Sequence, residues 1–166
     1  MKLNIVLVEP EIPQNTGNIA RTCAAIGAKL HLVHPLGFSI SEKQVKRAGL
    51  DYWDKLEIEE HISFEKFLNK YKPEENMFFV TTKGKTVYSD INYDRFDEVF
   101  LLFGKETKGL PEEILKKYIE NTIRIPMRKD LRSLNLSNSV AIVAYEVLRH
   151  KDFENMEEIS NYFNEN

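Results

Sequence analysis

Leu3-Asn4-Ile5-Val6-Leu7-Val8 is an apolar run interrupted by one asparagine, and Lys29-Leu30-His31-Leu32-Val33-His34 repeats that character after the segment Thr16–Ile26, which stops at Gly27. Short apolar runs rich in branched residues predict strands, and the stretch between them has helical spacing closed by a glycine. Residues 3–34 therefore predict a strand–helix–strand unit. The pattern continues outward. Met77–Thr82, Val99–Gly104 and Thr122–Pro126 predict further strands, with a weaker one at Leu56–Glu60. Ser63 predicts the cap of a helix carrying Phe64, Phe67, Leu68 and Tyr71 on one face, with Pro73 beyond its end. Pro111 predicts a helix first turn, with Glu112 and Glu113 at the positive end of its dipole and Lys116 and Lys117 near the other. After Ser137, a predicted cap, Val140, Ala141, Val143, Ala144, Val147 and Leu148 form a wide apolar stripe, and Ile159, Tyr162 and Phe163 predict a short last helix. Strands alternating with helices imply an α/β fold with a mostly parallel sheet covered by helices on both faces.

A chain of 166 residues with 42% hydrophobic and 30% charged side chains is the size and composition of one domain, 1–166, with enough apolar mass for a core. The single cysteine, Cys23, excludes an internal disulfide framework and a cysteine-rich zinc site, and it is expected to pack in the interior. No apolar run approaches the roughly 18 residues of a membrane span, and the apolar start breaks at Glu9, too early for a signal peptide. A cytoplasmic protein is expected. The net charge of −3 is uneven: residues 151–166 hold one of the 23 basic and five of the 26 acidic side chains, so the rest of the chain is at +1. Affinity for nucleic acid must come from a local patch.

In parallel α/β sheets, ligands bind beyond the carboxyl ends of the strands, and there the sequence is unusual. The first loop runs Glu9-Pro10-Glu11-Ile12-Pro13-Gln14-Asn15-Thr16-Gly17-Asn18-Ile19-Ala20-Arg21-Thr22. Asn15, Gly17 and Asn18 suit a turn into a helix N-terminus that favours anions, with Arg21 about one turn inside; a capped helix with a surface arginine fits equally. Thr81-Thr82-Lys83-Gly84 follows another strand. Gly104-Lys105-Glu106-Thr107-Lys108-Gly109-Leu110-Pro111 has the outer glycines of a phosphate loop without its Lys-Ser/Thr, which disfavours a nucleoside triphosphatase and leaves a close-approach loop or an ordinary connection. Pro126-Met127-Arg128-Lys129-Asp130-Leu131-Arg132-Ser133-Leu134-Asn135-Leu136-Ser137-Asn138-Ser139 crowds three cations beside small polar residues alternating with leucines, which suggests a fixed, partly buried segment.

Other chemistries lack their signatures. No G-x-G-x-x-G follows a strand, and no G-x-S-x-G is present. His31, His34, His61 and His150 show no paired metal spacing and are expected at sheet ends or on the surface. Trp53 is expected to pack against a helix end, or to stack on a base.

The three loops, in this order, resemble the SPOUT superfamily of S-adenosylmethionine-dependent RNA methyltransferases, most closely the short group that 2′-O-methylates the wobble nucleotide of tRNA. Residues 15–22 resemble its first motif, 102–111 its second, and Ile125-Pro126-Met127 with residues 133–138 its third; Glu9-Pro10-Glu11-Ile12-Pro13 and Arg47-Ala48-Gly49-Leu50-Asp51-Tyr52 resemble the wobble group specifically. The resemblance implies a C-terminal trefoil knot and a homodimer with Tyr145 near the interface. It implies that Val80, Gly104, Ile125, Ser133 and Leu134 hold S-adenosylmethionine, largely through backbone groups, with S-adenosylhomocysteine as product and no metal. It implies the anticodon stem-loop of tRNA as partner, with neither DNA nor membrane involved.

By the same resemblance Arg21 is the catalytic residue. A guanidinium is a poor base, so its expected role is to stabilise the developing alkoxide. Asn135 would orient the hydroxyl or the cofactor carboxylate, Glu106 would fix the loop or a partner arginine, and Arg128, Lys129 and Arg132 would attract RNA phosphates. A methyltransferase for another RNA nucleotide, a non-catalytic RNA-binding module and a small-molecule methyltransferase remain alternatives, separable by cofactor binding and by the product.

Overall fold

The structure, a computed structural model, describes residues 1–40, 55–160 and 162–163. The segment Arg47–Tyr52 and Trp53 lie outside the described residues. Among the described residues seven strands, β1 (Lys2–Val8), β2 (Lys29–Val33), β3 (Ile58–His61), β4 (Met77–Val80), β5 (Thr86–Val87), β6 (Glu98–Phe103) and β7 (Thr122–Arg124), form one sheet in the order β3-β2-β1-β6-β4-β7-β5. Every pairing among them is parallel. Among the described residues the α-helices are α1 (Pro13–Ile26), α2 (Phe64–Lys70), α3 (Glu112–Lys117) and α4 (Leu136–His150).

The period-two alternation of the strands splits the core between the two faces of the sheet. Ile5, Leu7, Leu30, Leu32, Phe78, Leu101 and Phe103 pack with Ile19 and Cys23 of α1 and with Val140, Val143, Ala144 and Val147 of α4. Val6, Val8, Met77, Phe79, Phe100 and Leu102 pack with Phe67 of α2 and Leu115 of α3. Helices thus cover both faces, as expected. Ser63 caps α2 by accepting from Lys66 N, and Gly27 ends α1 in the left-handed region (φ 68°).

Several local expectations are corrected. β5 has only two residues, too few for a periodic signal. The α1 helix begins at Pro13, so Asn15, Gly17 and Asn18 are helical, and Arg21 lies more than two turns in. Pro111 is the N-cap of α3 and precedes its first turn. The α4 cap is Asn135, whose side chain accepts from Ser137 N and Asn138 N, in place of Ser137. Residues 151–155 form turns and 156–160 are not helical: Phe153 and Met156 fold back onto the core, and Glu154 approaches the Met1 amino group at 3.7 Å. Ile159, Tyr162 and Phe163 are exposed.

His31 and His61 are buried; His61 ends β3, as a sheet-end residue, whereas His31 lies in the middle of β2, at neither a sheet end nor the surface. His31 Nδ1 and His61 Nε2 lie 3.0 Å apart, and His31 Nε2 lies 3.0 Å from Asn4 Oδ1, whose amide reaches Glu98 Oε1 at 3.1 Å. The ring centroids are 5.3 Å apart with 18° between planes, so the facing nitrogens lie near the line joining the ring centres. That is the geometry of an N–H···N hydrogen bond; lone pairs sharing a tetrahedral ion would meet at an angle. Glu59, within 4.8 Å of both, is engaged by Lys29, Lys70 and Tyr71 at 2.7–2.8 Å. Asn4 of β1, His31 of β2 and His61 of β3 form a hydrogen-bond chain across the three strands.

Burial, and then the neighbouring His61, lower the His31 pKa to about 4, and burial lowers that of His61. The unfolded chain therefore binds protons more readily, and this stability is present above about pH 6.5 and lost as pH falls toward 4. We expect on the order of 2 kcal/mol to be lost between pH 7 and pH 5 through His31. Denaturation midpoints at both pH values should show it, and His31→Phe should flatten the slope. Equal slopes in the two proteins would contradict the assignment.

Candidate active site

A cleft of about 500 Å³ opens at the carboxyl ends of β4, β6 and β7. Val80 ends β4, Phe103 and Gly104 end β6, and Ile125 follows β7; the segment 132–136 leading into α4 forms the facing wall. Val80, Gly104, Ile125, Ser133 and Leu134 all line it, with Glu106, Asn135 and Arg132. Arg128 and Lys129 are exposed on the segment between Ile125 and Arg132 and are not among the lining residues.

The loop 104–110 holds its shape by close backbone approach. Gly109 N donates to Lys105 O at 2.8 Å, and a Cβ on Gly104 would lie 2.0 Å from Gly109 C and 2.1 Å from Leu110 N. Only glycine fits there. Gly109 turns the chain back with φ +69°.

One carboxylate joins the three loops. Glu106 Oε2 accepts from Glu11 N at 2.8 Å, and Oε1 accepts from Ile12 N and Asn15 Nδ2, each at 3.1 Å. Asn15 Oδ1 in turn accepts from Asn135 Nδ2 at 3.1 Å. Asn135 Oδ1 is occupied by Ser137 N, Ser137 Oγ and Asn138 N at 2.9, 2.6 and 3.3 Å. The α1 N-cap, Ile12, makes no side-chain cap bond; a carboxylate 94 residues away in sequence meets the start of the helix, where the dipole favours an anion. Asn15, buried at 6% exposure, is the central member of this chain and was not among the residues expected to carry function. Its signal in the sequence was an amide where a helix face should be apolar, flanked by Thr16 and Gly17.

Arg21 is exposed on α1 and is not among the lining residues. At 100° per residue, the six positions from Asn15 to Arg21 leave the two side chains about 120° apart around the helix. The cleft of the single chain is thus built from the second and third loops and the segment 80–83 at the end of β4, with Ile12 and Asn15 from the first loop. Leu131 and Leu134, expected to be partly buried, are 58% and 39% exposed at its rim, whereas Leu136 packs against the core.

Residues 2–145 match the family model of the SpoU rRNA Methylase family. The chain belongs to that family. Among SpoU relatives, the tRNA (cytidine(34)-2′-O)-methyltransferase of Yersinia pestis is 49% identical over 152 residues, 89% of this chain and 93% of its own. A solved structure from work on the 2-OH methylation of C/U34 on tRNA superposes with a TM-score of 0.85 at 42% identity, covering 92% of this chain and 98% of that one. An AdoMet-bound rRNA methyltransferase of Sinorhizobium meliloti superposes with a TM-score of 0.80 at 28% identity, covering 90% of this chain and 56% of that longer one. The SpoU match ends inside α4, so it spans the whole cleft and leaves out the acidic tail.

Proposed function

We propose that this chain transfers a methyl group from S-adenosylmethionine to the ribose 2′-hydroxyl of the wobble nucleotide, cytidine or uridine 34, of tRNA. The observation that carries the reading is the convergence of Val80, Gly104, Ile125, Ser133 and Leu134 on one cleft in a chain of this family. The near full-length likeness to the Yersinia enzyme supports the choice of nucleotide. A tRNA substrate puts the reaction in the cytoplasm.

The cleft fits the cofactor. Its volume of about 500 Å³ lies within the range of small-molecule sites, and its lining mixes apolar side chains (Val80, Phe103, Ile125, Leu134) with Gly104, Gly109 and Ser133. When bound, S-adenosylmethionine supplies an electrophilic methyl group on a sulfonium leaving group. The chain's part is to align the acceptor and to stabilise negative charge as it forms on the 2′-oxygen. Arg21 stabilises that oxyanion. Glu106 and Asn135 hold the loops in register: the Asn135 carbonyl is spent on the α4 cap, which leaves one amide hydrogen to turn toward a ligand. Arg128, Lys129 and Arg132 hold phosphates of the anticodon stem-loop; Arg128, paired at 3.3 Å with Asp130, exchanges that carboxylate for phosphate.

The active unit is a homodimer. Ile142 and Tyr145, three residues apart on α4, and Ile12 beside α1 are apolar side chains left 36–44% exposed. A second copy seated there covers these side chains and brings the partner's Arg21 to the cleft, which the helical geometry above keeps apart from Arg21 of the same chain. The chain after β7 threads the loop before it as a trefoil knot. The close passage of Gly84, whose Cβ would lie 2.4 Å from the Ile123 carbonyl carbon, and the bonds Thr81 N→Ile123 O (2.9 Å) and Lys85 N→Thr122 Oγ1 (3.0 Å) support this path.

The test is methylation of unmodified tRNA by the purified protein with isotopically labelled S-adenosylmethionine, followed by nuclease digestion and mass mapping. One labelled methyl on the ribose of nucleotide 34 is the expected product. A methyl on another nucleotide would overturn the substrate, and saturable cofactor binding without RNA methylation would overturn the reaction.

A further inference from the structure

Glu9 and Glu11, in the segment Glu9-Pro10-Glu11-Ile12-Pro13, have no part in the chemistry above, yet both carboxylates are committed to the cofactor loop. Glu9 pairs with Lys105. Glu11 Oε2 accepts from Thr107 N at 3.0 Å and from Thr107 Oγ1 at 2.8 Å, and Oε1 accepts from the same hydroxyl at 3.0 Å. The exchange is reciprocal, because Glu11 N donates to Glu106. Two loops more than 90 residues apart in sequence therefore cap each other, each with a glutamate. From behind, Gly37 N donates to Pro10 O at 2.9 Å, and a Cβ on Gly37 would lie 2.8 Å from Glu11 Cα and Glu11 O. Glu11 is thus backed by a backbone contact that no larger residue permits. Thr107 lines the cleft and Glu11 does not.

We propose that Glu11 is a positioning residue for methyl transfer: its carboxylate fixes the backbone at Thr107 and so holds residues 104–110 in the shape that receives the cofactor. The inference rests on the function proposed above. The Thr107 N–H, followed by the Thr107 hydroxyl, keeps the Glu11 carboxyl below its usual range, so the clamp is charged at neutral pH. Losing it leaves the cleft lining in place and lets the loop sample other shapes, which weakens cofactor binding more than it slows the bound complex.

The experiment compares KM for S-adenosylmethionine, kcat with tRNA, and the Kd of S-adenosylhomocysteine by calorimetry. Glu11→Ala is expected to raise KM and Kd about tenfold while kcat at saturating cofactor stays within about threefold, the scale of lost charge-assisted hydrogen bonds. Glu11→Gln should restore binding, because its amide oxygen accepts from Thr107 N and its amide nitrogen donates to the Thr107 hydroxyl. Thr107→Val should be intermediate and Thr107→Ser near wild type. Gly37→Ala, at a residue not among those lining the cleft, should shift KM in the same direction. A wild-type KM in Glu11→Ala, a fall in kcat alone, or a Gln variant as poor as the Ala variant would overturn the proposal. Should Glu11→Ala fail to fold, a wild-type KM in Thr107→Val overturns it instead. Wild-type protein that binds no cofactor would refute the proposed function, whereas equal binding by wild type and Glu11→Ala would refute only the clamp.

Discussion

Replacing Arg21 by alanine is expected to slow single-turnover methyl transfer by roughly a hundredfold or more, the cost of removing one preorganised donor from a developing oxyanion. Affinity for S-adenosylhomocysteine should stay within about threefold, because Arg21 is not among the residues lining the cleft. The separation between Arg21 and Asn15 around α1 adds a sharper expectation, that the arginine serves the cleft of the other copy. Arg21→Ala mixed with a cleft-dead variant then regains about a quarter of wild-type activity, since half the dimers are mixed and each carries one intact site. If each arginine serves its own chain, the mixture stays inactive. Full activity in Arg21→Ala alone would remove the residue from the mechanism.

Gly104→Ala supplies the cleft-dead partner and the second large effect. The added Cβ would meet Gly109 C at 2.0 Å and Leu110 N at 2.1 Å, and both are backbone atoms that cannot turn aside. The loop must open, with an overpacking cost of about 1–3 kcal/mol and a reshaped wall beneath the cofactor. We expect calorimetry to detect no S-adenosylhomocysteine binding. Gly109→Ala is the control: its Cβ meets nothing within 4 Å, so only the left-handed φ of +69° is strained, a cost of about 1–2 kcal/mol. That variant should bind several-fold more weakly and still turn over. Equal affinity in both alanine variants would show that close approach at Gly104 is not what shapes the cleft.

The alternation of apolar runs with capped helical segments was enough to read six of the seven described strands, β3 only weakly, and the two-faced sheet, because burial on both faces leaves a direct imprint on strands such as Leu3–Val8 and Val99–Phe103. Features set by distant partners were harder to read. The α1 helix starts at Pro13 without a local cap because Glu106 satisfies its start from another loop. The Asn135 cap competes with three nearby residues of similar capping ability, Ser133, Ser137 and Asn138. Asn15 became visible as the link between Glu106 and Asn135 only once the loops were placed in space. The burial of His31 was concealed by its polar character; in the fold its ring nitrogens are satisfied by His61 and Asn4. The tail carries helix-like spacing, but Phe153 and Met156 find a better place against the core.

The central claim is that three separated stretches of chain form one cofactor site. Amide hydrogen exchange of the purified protein, with and without saturating S-adenosylhomocysteine, tests it most directly. Slowed exchange is expected at residues 80–84, 104–110 and 125–136 together, with the sheet interior unchanged. Saturable binding that protects a different part of the surface, or only one of these three segments, would contradict it.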